Sequence, residues 1–151
     1  MVTLRIMNSS EFQEYFNLAT ENYAKEKVIA GNWNEEESII KAKTEYEKLL
    51  PKGKDTEKNY LYIISQKNQP IGIVWLEKKS NENGFIRDVR VFEKYQGLGY
   101  GKEAIKQIEM VGKELGLKKI GLHVFGHNRI ARGLYEKLGY QTTNVMMIKD
   151  I

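Results

Sequence analysis

The sequence predicts an α/β fold: one domain over residues 1–151, with a mixed sheet flanked by helices. Three observations predict it. Two stretches of helical periodicity open the chain, three β-rich stretches separated by turn residues fill its middle, and the last third alternates helix and strand. Strands joined by tight turns make an antiparallel meander, whereas a strand–helix–strand crossover makes a parallel pair. A chain of 151 residues, 41% hydrophobic and 29% charged, has the composition of a single globular domain with its own core.

The elements follow in order. VTLRIM, 2–7, reads as a first strand. Ser10 and Gln13 then form a capping-box pattern, and Phe12, Phe16, Ala19 and Tyr23 continue at helical spacing towards Gly31. Asn34 and Glu37 repeat the capping pattern before a second helix, whose inner face is Ile39, Ala42, Tyr46, Leu49 and Leu50; Pro51 and Gly53 end it. YLYIIS (60–65) and IGIVWLE (71–77) flank the turn KNQP (67–70) as a hairpin, and FIRDVRV (85–91) follows the turn NENG (81–84). A helix spans about Gly99 to Leu115 with Ala104, Ile105, Ile108, Val111 and Leu115 inward, and Gly116 stops it. KKIGLHVF, 118–125, is a strand. NRIARGLYEKLG, 128–139, is a helix with Ile130, Ala131, Leu134 and Leu138 inward and Gly139 as its cap. VMMI, 145–148, reads as a closing strand.

Composition excludes several chemistries. The chain has no cysteine, so disulfides, thiolate metal sites and cysteine nucleophiles are absent. The start, MVTLRIMNSSEF, is not a basic segment followed by an apolar run, and no stretch approaches the roughly 18 apolar residues of a membrane span. The expectation is a cytoplasmic protein without a membrane partner. Net charge is +4 with both signs interspersed, which suits a small anionic ligand as well as nucleic acid. A concentrated basic stripe and a stacking platform are both missing, so no nucleic-acid partner is expected. His123 and His127 fall on a strand and in a loop with no third ligand, and no metal is expected.

The stretch with chemistry in it is QGLGYGK, 96–102, between a strand and a helix. It fails the Walker A pattern, with Gln96 in place of the first glycine and Glu103 in place of Ser or Thr. It fails G-x-G-x-x-G because Lys102 occupies the third glycine position. The remaining pattern is Q-x-x-G-x-G. Glycines let backbone N–H groups approach a ligand, the helix N-terminus adds its positive dipole end, and Gln96 and Lys102 add a donor and a charge. That describes a pyrophosphate seat; the plainer alternative is a glycine turn that only starts a helix.

A second motif follows. VRVFEKYQGLGYGKEAI and then GLHVFGHNRIARGLYEKLGYQ together resemble the acetyl-CoA-binding core of the GNAT N-acetyltransferase superfamily. Its second signature, N-x-x-A-x-x-L-Y-E-K-x-G-[F/Y], is met in full by Asn128, Ala131, Leu134, Tyr135, Glu136, Lys137, Gly139 and Tyr140. LHVFGHN and the two-helix start are similar to uncharacterised bacterial members of the YycN type. The resemblance covers the C-terminal half closely, while the N-terminal half fits only the family's order of elements.

The resemblance implies a central mixed sheet with a splayed parallel pair, and acetyl-CoA as co-substrate, with its pantetheine arm lying in the splay. Backbone groups of Val89 and Val91 would bond the pantetheine amides, and the Val91 N–H would stabilise the oxyanion. Gln96, Gly97, Leu98, Gly99, Tyr100, Gly101 and Lys102 would hold the pyrophosphate. Asn128 would donate to the cofactor arm, with Ala131 and Tyr135 also at the cofactor. Tyr135 would protonate the departing thiolate, a role compatible with core packing. The family's early-strand glutamate is replaced by Phe85, which leaves Asp88 as the nearest carboxylate: a base or acceptor contact on one reading, a structural ion pair with Arg87, Arg90 or a lysine on the other.

The implied activity is transfer of an acetyl group to a primary amine by direct attack in a ternary complex. The acceptor is a small molecule or a peptide, and the protein a monomer or homodimer. The alternative is a sensor or regulatory module that binds CoA without turnover. Trp33, between the first two helices, serves as a wall of the acceptor pocket or as a hydrophobic staple, and Trp75 as core.

Overall fold

A computed structural model describes residues 1–151. The elements run β1 (Thr3–Ile6), α1 (Ser9–Ile29), α2 (Glu35–Leu49), β2 (Asn59–Gln66), β3 (Gln69–Lys78), β4 (Asn83–Val91), α3 (Tyr100–Glu114), β5 (Lys119–Leu122) and α4 (Arg129–Lys137). One five-stranded sheet has the order β1-β2-β3-β4-β5, antiparallel through β4 and parallel between β4 and β5. The mixed α/β class predicted from the sequence is therefore observed. The chain divides into two compact units, residues 1–14 with 50–123, and residues 15–49 with 124–151.

The first unit holds the sheet and α3. At the start of α1, Asn8 Oδ1 accepts from the Glu11 N–H at 2.8 Å, and Glu11 Oε1 accepts from the Asn8 N–H at 3.0 Å. The capping box is thus Asn8–Glu11 rather than Ser10–Gln13. Asn8 wins because Arg5 grips Glu11 with both terminal guanidinium nitrogens at 2.7–2.8 Å, fixing the capping carboxylate two residues early. β2 and β3 join through Lys67 and Asn68, both at positive φ (49° and 64°), a two-residue hairpin turn. β3 is buried without a break from Ile71 to Leu76, as a central strand covered on both faces must be. Trp75 Nε1 donates to Asn59 Oδ1 at 2.8 Å, satisfying the polar atom of this core tryptophan.

α3 buries Ala104, Ile105, Ile108 and Gly112. Val111 and Leu115 are only half-buried, and Gly112 takes the expected inner place because a Cβ there would lie 2.9 Å from Ile120 Cδ1. The helix ends as predicted at Gly116 (φ 85°), with the Leu117 N–H donating to Gly112 O at 2.8 Å.

The second unit holds α2, α4 and most of α1. α2 begins directly after Asn34 and buries Ser38, Ala42 and Tyr46, while the expected core residue Ile39 is exposed. Phe16, Tyr23 and Tyr46 interlock at centroid distances of 5.6–6.2 Å, which sets the buried line of α2 one residue away from Ile39. α4 buries no residue, and Ile130, expected inward, is 90% exposed. The expected closing strand at 145–148 does not form: residues 141–151 have no regular structure, since a strand needs a ladder partner and this stretch has none in the chain. The strand expected over 118–125 is likewise paired only at Lys119–Leu122.

Candidate active site

The first part of the site is the end of β4. Trp75 pairs with Asp88 but Leu76 pairs with Ile86, so Arg87 is an extra, bulged residue on β4. A bulge sharpens local twist. The β5 register stops at the same place, at the pair Ile86–Leu122, so residues 87–91 have no partner on that side. The Phe92 N–H donates to Ile71 O at 2.9 Å, which makes 71 and 92 a hydrogen-bonded pair. Alternation then makes Gly72–Val91 and Val74–Val89 non-hydrogen-bonded pairs. The N–H and C=O groups of Val89 and Val91 consequently point away from β3, towards the splay. Gly72 lets this happen: a Cβ there would sit 2.2 Å from Arg90 O and 3.1 Å from Val91 Cα.

The glycine loop continues from it. Gly97 and Gly99 adopt left-handed φ (79° and 84°), and a Cβ on either would meet nothing within 4 Å. Conformation, not crowding, demands glycine here, and the space above the loop is open. Gly99 is the N-cap of α3, and the first intrahelical bond runs from Glu103 N–H to Gly99 O at 3.2 Å. The N–H groups of Tyr100, Gly101 and Lys102 therefore have no intrahelical acceptor and face out of the helix end. Tyr100 Oη donates to Gln66 Oε1 at 2.8 Å, tying the first turn of α3 to β2, while Leu98 and Lys102 are exposed.

Gln96 departs from expectation. Its Nε2 donates to Val91 O at 2.8 Å, so the amide fastens the loop to the end of β4 instead of standing free as a ligand donor. Of the backbone groups on the splayed side, the Val91 N–H and both groups of Val89 remain without this engagement. Asp88 is half-buried opposite Trp75, and Arg87 Nε donates to Glu77 Oε1 at 2.7 Å.

The second motif is built in the other unit. Asn128 caps α4, its Oδ1 accepting from the Ala131 N–H at 3.2 Å. This use of the oxygen leaves the side-chain NH2 as a donor. Tyr135 is half-buried, and its ring meets the edge of Tyr140 at 5.9 Å. The pair belongs to the C-terminal cap: the Tyr140 N–H donates to Tyr135 O at 2.9 Å and the Gly139 N–H to Glu136 O at 3.1 Å, with Gly139 at φ 96°. The L-Y-E-K-x-G-Y signature thus encodes a helix terminus as well as a tyrosine.

The sequence reading missed a chain of rings in this unit. Trp33, Tyr23, Phe125 and His127 follow one another at centroid distances of 5.6–6.3 Å. Lys27 lies 5.4 Å from the Trp33 ring centre and 5.6 Å from that of Tyr23. His127, in the loop before α4, is paired through Nε2 with Glu26 Oε2. Trp33 also lines a cavity of about 340 Å³ with Ile40, Lys41, Thr44 and Glu45. A second, of about 340 Å³, is lined by Gly126, Arg129, Arg132, Gly133 and Glu136. The only signal in the sequence was the recurrence of aromatics at helical spacing, which does not separate core from cavity wall.

Residues 12–140 match the Acetyltransferase (GNAT) family, and the chain belongs to that family. Among known proteins it is similar to the uncharacterised N-acetyltransferase YycN of Bacillus subtilis, 35% identical over 99% of each chain. A second B. subtilis relative, the uncharacterised N-acetyltransferase YdgE, is 31% identical over 99% of this chain and 98% of its own. The crystal structure of B. subtilis YycN superposes with a TM-score of 0.97, covering 100% of this chain and 99% of that one at 34% identity. At 14% identity and a TM-score of 0.62, the aminoglycoside N-acetyltransferase AAC(6')-Iy, solved in complex with CoA, shares the fold over 100% of this chain and 95% of its own. No helix is long and apolar enough to cross a membrane.

Proposed function

We propose that this chain is an acetyl-CoA-dependent N-acetyltransferase acting on a primary amine by direct attack in a ternary complex, within a single catalytic domain. The observation that carries the reading is the splay at β4. Backbone groups of Val89 and Val91 turn from β3 just where β5 stops, and the strand runs into a loop whose glycines are held open at the α3 N-terminus. An extended amide-bearing arm ending in a pyrophosphate complements that sequence of groups.

Each residue then has a task. Val89 and the Val91 N–H bond the pantetheine arm, and the loop amides of 97–102 hold the pyrophosphate. Gln96 acts by bracing the loop through Val91 O. The NH2 of Asn128 donates to the arm, while Ala131, on the same first turn of α4, lets the cofactor approach. The neutral amine attacks the thioester carbonyl carbon, the Val91 N–H stabilises the oxyanion, and collapse breaks the C–S bond. Tyr135 gives its proton to the thiolate, and the proton released by the attacking nitrogen passes to Asp88 or solvent. With no cysteine in the chain, a cysteinyl acyl-enzyme is excluded.

Calorimetric titration with acetyl-CoA, with CoA and ATP as controls, tests the reading. Saturable acetyl-CoA binding that is lost in Gly99→Trp, with thiol release on an amine panel, supports it. Binding with no thiol release on any amine would favour a sensor, and no binding by the folded protein would remove both.

A further inference from the structure

The reaction as described leaves the pair of His127 and Glu26 unused. The two residues are 101 positions apart in the chain. Both side chains stay open to water, at 35% and 39% exposure. A pair this exposed adds little to stability, so stability alone is a poor reason for it. The imidazole is nevertheless held firmly. The Asn128 N–H donates to Phe125 O at 2.9 Å and the Arg129 N–H to His127 O at 3.1 Å, which fixes the backbone of the turn. Phe125 stacks on the imidazole at 5.6 Å with the ring planes 22° apart. Glu26 fixes its edge.

The pairing decides the tautomer. An ionised carboxylate only accepts, so the proton between the two groups sits on Nε2 and is donated to Glu26 Oε2. The lone pair of the neutral ring is then on Nδ1. A carboxylate behind an imidazole also stabilises the imidazolium that forms when the other nitrogen takes a proton. Charge changes along the same chain of rings. Lys27 stands 5.6 Å from the Tyr23 ring centre and 5.4 Å from that of Trp33, whereas Glu26 stands at His127. A cationic group is drawn towards Glu26 and away from Lys27.

We propose that His127, held by Glu26, is the base that deprotonates the incoming acceptor ammonium. The inference rests on the acetyltransferase reading, in which the neighbouring Asn128 donates to the cofactor arm and His127 therefore stands beside the acyl donor. An ordinary primary amine arrives as an ammonium, which has no lone pair to attack with. Nδ1 takes one of its protons, and the electron pair of that N–H bond stays on the amine nitrogen as the attacking pair. The imidazolium rests against the Glu26 carboxylate until it returns the proton to solvent. Attack, C–S cleavage and protonation of the thiolate by Tyr135 then follow. The nitrogen sheds its second proton, Tyr135 regains one, and the net release is one proton for each acetyl group transferred. Glu26 is a positioning residue, since it touches His127 and not the amine.

Two amines of similar shape isolate the step: benzylamine, an ammonium at neutral pH, and O-benzylhydroxylamine, which is neutral there. Thiol release with each is measured beside acetyl-CoA affinity by calorimetry. His127→Ala should lower kcat for benzylamine roughly 100-fold, with added imidazole restoring at least roughly 10-fold, and change kcat for O-benzylhydroxylamine by under about threefold. Glu26→Gln should lower the benzylamine rate roughly 10-fold with the same contrast between the two amines. Both variants should bind acetyl-CoA within about twofold of wild type. Equal losses with the two amines, or a lower acetyl-CoA affinity with kcat unchanged, would make the pair a brace for the loop and overturn the step. So would an active wild type matched by His127→Ala. A wild type that binds no acetyl-CoA, or releases no thiol with these amines or the wider panel, would instead remove the reading on which the step rests.

Discussion

β3 and α4 are equally definite in the sequence and opposite in the structure. β3 is a run of apolar residues, and six in succession, Ile71 to Leu76, are buried. α4 has a sharp apolar stripe and a complete family signature, and buries nothing. Local pattern determined that both elements form. It did not determine whether their apolar atoms leave water, because that depends on what lies against them. β3 finds β2 and β4 on either side within its own unit. The stripe of α4 is only half covered, at Ala131, Leu134 and Tyr135, and Ile130 stays in water.

The comparison can be broken most forcefully at Gly72. A methyl there meets Arg90 O at 2.2 Å, so Gly72→Ala should cost about 3 kcal/mol in urea unfolding and displace the end of β4. At Ile130, Ile130→Ala should change the stability of an isolated chain by under about 0.5 kcal/mol. A larger loss would report that Ile130 is covered in solution.

The two halves of the cofactor motif sharpen the contrast next. Gly99→Trp forces a bulky residue into a left-handed conformation in the open loop, and should weaken acetyl-CoA at least roughly 100-fold by calorimetry. Tyr135→Phe should leave that affinity in place and slow thiol release roughly 100-fold.

The smallest effect lies at the start of α1. The Arg5 guanidinium, with help from the Asn8 N–H and against some desolvation, lowers the pKa of the Glu11 carboxyl. A depressed folded-state pKa contributes stability above the unfolded value, and that contribution is lost as pH falls through the folded value. Glu11→Gln should therefore lower the melting temperature slightly at neutral pH and flatten its fall on the acid side, where the two proteins converge; the effect is small because the pair is partly exposed.

Much of the site was legible because its parts are local. A glycine at Gly99 followed by amphipathic spacing announces a loop and a helix, and Gly116 and Gly139 announce where α3 and α4 stop. Other parts were hidden because they depend on pairing. The Arg87 bulge has no signature in FIRDVRV, yet it accompanies the departure of β4 from β5. Gln96 reads as a ligand donor until its bond to Val91 O is seen. Asn8 displaced Ser10 as the cap only because Arg5 holds Glu11.

By itself the sequence determined the order of elements, the mixed sheet and the two motifs of the GNAT family, since each rests on spacing along the chain. Tertiary structure decided which backbone groups of β4 turn towards the splay, which rings gather around Trp33, and which apolar residues stay in water. Those outcomes depend on register, twist and neighbours far along the chain, and spacing carries no record of them. Residues 145–148 are the plainest case: their side chains suit a strand, but a strand exists only where another is beside it.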